Sequence, residues 1–211
     1  MGLGRFESKP HSSSADFDAV GIAASAGGLR ALSMVLAELP REFPATILVV
    51  QHLDPRRPSL LAGILGRVCK LLVKEAQEGE DMRPGVVCLA PPDRHLLVNP
   101  NATLSLNRSE PVNFVRPSAD PLFESLAACF KSRALAIVLT GTGSDGARGV
   151  RAIHRMGGRT IAQDEATSEF FGMPNAAMRT GLVDSILPLQ DIARAMLEWS
   201  ACGAQRQRAS G

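Results

Sequence analysis

Apolar residues along this chain fall in short runs separated by glycine, proline and polar turns. Residues 20–24 (VGIAA), 46–50 (TILVV) and 134–140 (ALAIVLT) are continuous aliphatic runs, the pattern of strands buried on both faces. Residues 71–73 are a weaker strand signal, and 159–162 and 182–186 also read as strands. Helical patterns span 29–39, 59–67, 120–132, 147–156, 175–180 and 189–200. In the segment 120–132, Asp120 is placed to cap the helix and Pro121 fits its first turn. Runs at 86–90, 96–98 and 103–106, parted by Pro-Pro-Asp and Asn-Pro-Asn, predict a hairpin or meander, and 107–117 reads as a loop. Strands alternating with helices predict a mainly parallel α/β sheet covered on both faces. Residues 1–17 are polar, serine-rich and aperiodic, and 201–211 read the same way, so both are expected to be flexible tails around one domain at 18–200.

Composition narrows the function. Hydrophobic residues make up 45% and charged residues 21% of the 211, an ordinary globular balance. A net charge of +2 and 4% aromatics, with no tyrosine, argue against nucleic acid as a partner. Cys69, Cys88, Cys129 and Cys202 are widely spaced, which indicates neither a disulfide framework nor a zinc site. The chain has no apolar run long enough to cross a bilayer and no signal-like start, so a cytoplasmic location without membrane insertion is expected.

In open α/β sheets ligands bind at the carboxyl ends of the strands. Three reactive residues follow strands here: Ser25 in Ala-Ser-Ala-Gly-Gly, His52 after 46–50, and Asp145 in the turn after 134–140. A hydroxyl, an imidazole and a carboxylate are the parts of a serine-hydrolase triad. Each has a plainer use: Ser25 as a helix cap, His52 as a surface residue, Asp145 as a turn former. Their coincidence at strand ends favours catalysis. Among the other histidines, His11 lies in the tail and His154 inside a helix, while His95, beside the hairpin, rivals His52 or lines the pocket. Neither glycine-rich turn has P-loop or dinucleotide spacing, and no His or carboxylate pair has metal-ligand spacing.

The segments Gly21-Ile-Ala-Ala-Ser-Ala-Gly-Gly28, Val50-Gln-His52, Ala90-Pro-Pro-Asp-Arg-His95-Leu, Arg116-Pro-Ser-Ala-Asp120, Leu139-Thr-Gly-Thr-Gly-Ser-Asp-Gly146 and Ile161-Ala-Gln-Asp-Glu165 through Gly172-Met-Pro174 resemble the CheB-type catalytic domain of chemotaxis protein-glutamate methylesterases. They match in order and approximate spacing over about residues 18–198. The resemblance implies a three-layer α/β/α fold and hydrolysis of glutamate γ-methyl esters on the cytoplasmic helices of methyl-accepting chemoreceptors. In many members it also implies deamidation of receptor glutamines. By motif position Ser25 is the nucleophile, His52 the base and Asp145 its orienting partner, and no cofactor or metal is needed. Ala26 and Thr142 stand where backbone donors to the oxyanion are expected, and His95 and Met173 where the substrate pocket is expected.

The chain departs from the family pattern in having Ala26 in place of the usual threonine and Thr142 in place of the usual methionine. Only 19 residues precede the first strand, too few for the receiver domain most members carry, so none is expected in this chain. Two other functions compete: a non-catalytic docking module of the same fold, and a small-molecule esterase using the same three residues.

Overall fold

Strand β1 (Ala19–Ala24) is buried at every position. It pairs in parallel with β2 (Thr46–Gln51) on one side and β7 (Ala134–Val138) on the other. With β3 (Leu72–Glu75), β4 (Val86–Leu89), β8 (Arg159–Gln163) and β9 (Ser185–Leu187), these form a sheet in the order β3-β4-β2-β1-β7-β8-β9, every pairing parallel. The structure, a computed structural model, describes residues 17–53 and 59–208, with side chains through residue 200. Parallel neighbours need crossovers, and the crossovers bring helices over both faces of the sheet. That is why the central strands are apolar on both sides.

Two apolar layers result. On one face α1 (Gly28–Ala37), α2 (Leu61–Leu65) and α6 (Leu189–Arg208) pack Leu32, Leu36, Leu65 and Met196 against Val20, Ile22 and Ile47. On the other, α3 (Ala119–Phe130), α4 (Ala147–Arg155) and α5 (Gly172–Met178) pack Phe123, Val150 and Met173 against Ala23, Leu48 and Val138. The antiparallel hairpin of β5 (His95–Val98) and β6 (Leu104–Asn107) joins this second layer. Val98 N–H donates to Ser125 Oγ at 3.0 Å and ties the hairpin to α3. Phe123 has no exposed surface and sits where α3 meets β1 and α4, so its truncation to alanine would cost about 3–5 kcal/mol. The observed architecture is the expected three-layer α/β/α fold with a small antiparallel hairpin.

Several boundaries differ from expectation. The run at 86–90 is not part of a meander: β4 enters the main sheet between β3 and β2, and only β5 and β6 form the hairpin. Ser118 caps α3, its Oγ accepting from Asp120 N–H at 3.3 Å, and Asp120 is the helix's second residue rather than its cap. The closing helix, expected to stop at residue 200, continues as α6 to Arg208 through the stretch read as a tail. Residues 1–16 and 209–211 of the expected tails lie outside the described residues. Among the described residues no helix is long and apolar enough to cross a membrane.

Candidate active site

The three central strands β2, β1 and β7 end at one edge of the sheet, and the ladder runs on past their ends. His52 N–H donates to Ala24 O at 3.1 Å, and Ser25 N–H donates to Thr140 O at 3.0 Å. Two side chains brace the same edge. Gln51 Nε2 donates to Ser25 O at 2.8 Å and to His52 O at 3.1 Å, and Thr140 Oγ1 donates to Ala26 O at 3.0 Å. The backbone at Ser25 and His52 is therefore held by the sheet itself, on elements more rigid than loops.

Their side chains meet. Ser25 Oγ lies 3.1 Å from His52 Nδ1, and His52 Nε2 lies 2.8 Å from Asp145 Oδ2. An ionised carboxylate only accepts, so Nε2 carries the ring hydrogen and the Nδ1 lone pair faces the serine hydroxyl. Ser25 does not cap α1. Gly27 occupies the cap position before that helix, no side chain caps it, and its left-handed φ of 76° lets the chain turn sharply out of β1. Gly141 opposes it across the edge: a Cβ there would collide with Met173 Sδ and lie 2.8 Å from Ser25 Cβ.

Asp145 is 2% exposed and almost saturated with donors. Its Oδ1 accepts from Ser118 Oγ at 2.6 Å, and more loosely from Asn113 Nδ2 and Asp120 N–H, each at 3.3 Å. Its Oδ2 accepts from Ala119 N–H at 2.7 Å as well as from His52. Burial alone pushes this carboxyl up, but the bonds from His52, Ala119 N–H and Ser118 outweigh it and hold the group below the ordinary carboxylate value. Asp145 is thus an anion aimed at the imidazole.

The two residues expected to line a pocket occupy other places. His95 has no exposed surface; its Nδ1 accepts from Ser118 N–H and its Nε2 donates to Glu110 O, both at 3.2 Å. With both nitrogens engaged it anchors the segment that delivers Ser118 and Ala119 to Asp145. Met173 is equally buried, packed under Gly141, to whose carbonyl its N–H donates at 2.8 Å. Both support the site from beneath. The backbone N–H groups of Ala26 and Thr142 meet no acceptor among the described residues. Sequence reasoning missed Gln51, Asn113 and Ser118, although all three lie within or beside quoted motifs.

Comparison with known proteins follows the same line. A family model described as CheB methylesterase matches residues 20–196. A protein-glutamate methylesterase/protein-glutamine glutaminase of Anaeromyxobacter dehalogenans is 46% identical over 181 residues, covering 86% of this chain and 53% of that protein. A putative protein-glutamate methylesterase/protein-glutamine glutaminase of Leptospira interrogans is 39% identical over 178 residues, covering 84% and 92%. The chain therefore spans about half of the first relative and nearly all of the second. The crystal structure of the Thermotoga maritima CheB methylesterase catalytic domain superposes with a TM-score of 0.84 at 39% identity, covering 86% of this chain and 98% of that one.

Proposed function

The chain belongs to the CheB methylesterase family, and from that premise we propose that it hydrolyses glutamate γ-methyl esters of chemoreceptor cytoplasmic helices through Ser25, His52 and Asp145. The observation that carries this reading is the unbroken relay from Ser25 Oγ through His52 to a buried, ionised Asp145. His52 Nδ1 takes the Ser25 proton as the hydroxyl oxygen bonds to the ester carbonyl carbon. Asp145 stabilises the resulting imidazolium and fixes its orientation. The tetrahedral intermediate collapses, His52 gives its proton to departing methoxide, and methanol leaves. Water, activated by the same imidazole, then cleaves the glutamyl-serine ester and frees the carboxylate.

The free N–H groups of Ala26 and Thr142 supply donors for the oxyanion. A primary amide enters the same sequence with ammonia as leaving group, so deamidation of receptor glutamines is the companion activity, as the names of the relatives suggest. This buried, donor-saturated carboxylate favours catalysis over a docking module, for which no such group is needed. The test is methanol release from methyl-labelled receptor membranes. Wild type should release methanol and Ser25→Ala should not; equal release by the two would overturn the reading.

A further inference from the structure

Asp145 shares its enclosure with a second carboxylate. Asp120 is also 2% exposed, and a single amide joins the two groups. Asn113 Nδ2 donates to Asp120 Oδ2 at 2.8 Å and to Asp145 Oδ1 at 3.3 Å. An amide nitrogen carries two hydrogens, so each carboxylate can receive its own. Other groups complete the surroundings. His52 faces Asp145 Oδ2, Gly149 N–H donates to Asp120 Oδ1 at 2.8 Å, and His95 stands behind Ser118. Arg148 is the nearby cation, and it is paired with Glu124 at 2.7 Å.

Two buried anions this close repel. Burial first, and the neighbouring Asp145 charge with it, raise the Asp120 carboxyl above its ordinary value, while Asp145 is held below its own. The bridging amide comes from a turn with an unusual backbone. Val112 and Val115 pair across it, and both central residues have positive φ, 52° at Asn113 and 64° at Phe114. Asparagine tolerates that region, but phenylalanine does so at a cost, and the fully exposed Phe114 ring makes no packing that would hold it there. The Asn113 amide is what anchors the turn to the carboxylates.

We propose that Asn113 is a positioning residue for the reaction, whose amide screens Asp120 from Asp145 and so keeps Asp145 in register with His52. This rests on the reading of Ser25, His52 and Asp145 as the catalytic groups. It predicts a dependence on the Asp120 charge that a merely structural turn residue would not have.

The test is methyl-ester hydrolysis by the full chain carrying Asn113→Gly, which removes the amide yet suits the left-handed backbone. The kcat should fall about tenfold to a hundredfold with KM little changed, as for a small misplacement of a catalytic group. The loss should deepen on acidification, because Asp145 has lost a donor and gained an unscreened anion, so it takes up a proton at higher pH. Adding Asp120→Asn should restore part of the rate and return the acid limb towards wild type. Asn113→Asp, a second variant that tolerates the same backbone, adds an anion and should be slower than Asn113→Gly. An acid limb parallel to wild type, or a double variant no faster than Asn113→Gly, would overturn the proposal. Ser25→Ala assayed alongside separates the two failures. An inactive Ser25→Ala with a fully active Asn113→Gly overturns the positioning role alone, and an active Ser25→Ala overturns both.

Discussion

His52 presents Nδ1 to Ser25, at 3.1 Å, and reaches Asp145 with Nε2, the reverse of the ring orientation in the chymotrypsin arrangement. Strand order explains the reversal. His52 follows β2, Ser25 follows the adjacent β1, and Asp145 follows β7 on the far side of β1. Neighbouring strands are about 4.8 Å apart, so Ser25 lies one spacing from the His52 backbone, and the Asp145 carboxylate meets the ring from farther away. The nitrogen nearer Cβ meets the nearer strand, and the distal nitrogen meets the farther one. On the proposed mechanism one nitrogen still serves as base and the other as donor.

On the proposed mechanism Ser25 and His52 act as one unit, so their losses should not add. Ser25→Ala and His52→Ala should each lower kcat about 10³-fold or more, and the double variant should be little slower than either. Single-turnover methanol release measures all three. Multiplicative losses would mean that the two residues serve separate steps.

The Asp145 carboxyl links the site to acid stability. Its folded-state pKa lies below the unfolded value of about 3.9. Its contribution is therefore present above that pH and is lost as pH falls through the lower folded value. Asp145→Asn leaves donors such as Ser118 Oγ and Ala119 N–H facing a group that accepts less well. The variant should be less stable at neutral pH by about 1–3 kcal/mol, and the gap should close in strong acid. Urea unfolding from pH 7 to pH 2 checks this. A gap independent of pH would remove Asp145 as the linked group.

The three strand-end residues were legible in the sequence for a physical reason. A parallel sheet returns every strand in the same direction, so residues just past strands 20–24, 46–50 and 134–140 must share an edge. The rest of the site depends on contacts that no local pattern carries. Ser118 and Asn113 reach Asp145 from 27 and 32 positions away, from a loop whose path is fixed by its own turn and by His95. Ser118 and Asp120 are both good capping types two residues apart, and propensity could not choose between them. The choice was made by Gly149 N–H, which takes the Asp120 carboxylate. The burial of His95 comes from the hairpin lying on α3, which four residues of alternation do not reveal.

Cys88 gives a test of the second apolar layer. It is 2% exposed on β4, and burial, followed by the nearby Glu80 charge, pushes its thiol up to about 12. Only the thiolate reacts, so at pH 8 about one Cys88 in ten thousand is reactive even where reagent has access. Alkylation followed by mass spectrometry should leave Cys88 unmodified in the native protein and modify it rapidly in denaturant. Rapid native labelling would show that β4 opens readily from the sheet.

The proposed oxyanion donors, the Ala26 and Thr142 N–H groups, can be tested one at a time. Ala26 follows Ser25 directly, and Thr142 follows Gly141, which packs against Ser25 Cβ. Their N–H groups are free among the described residues, whereas Gly141 N–H is already given to Phe170 O at 2.9 Å. A donor that is unoccupied and rigidly held costs no reorganisation when negative charge develops. Thr142→Pro deletes one such N–H at an exposed position without removing a native hydrogen bond, so folding should survive while kcat falls about 10²–10³-fold. Ala26→Thr keeps its backbone N–H and adds a hydroxyl, so it should leave the rate unchanged or raise it. The pair separates backbone from side-chain donation when kcat is measured with thermal melting as the control for folding. If Thr142→Pro melts like wild type and keeps its full rate, the oxyanion draws no donor from this turn.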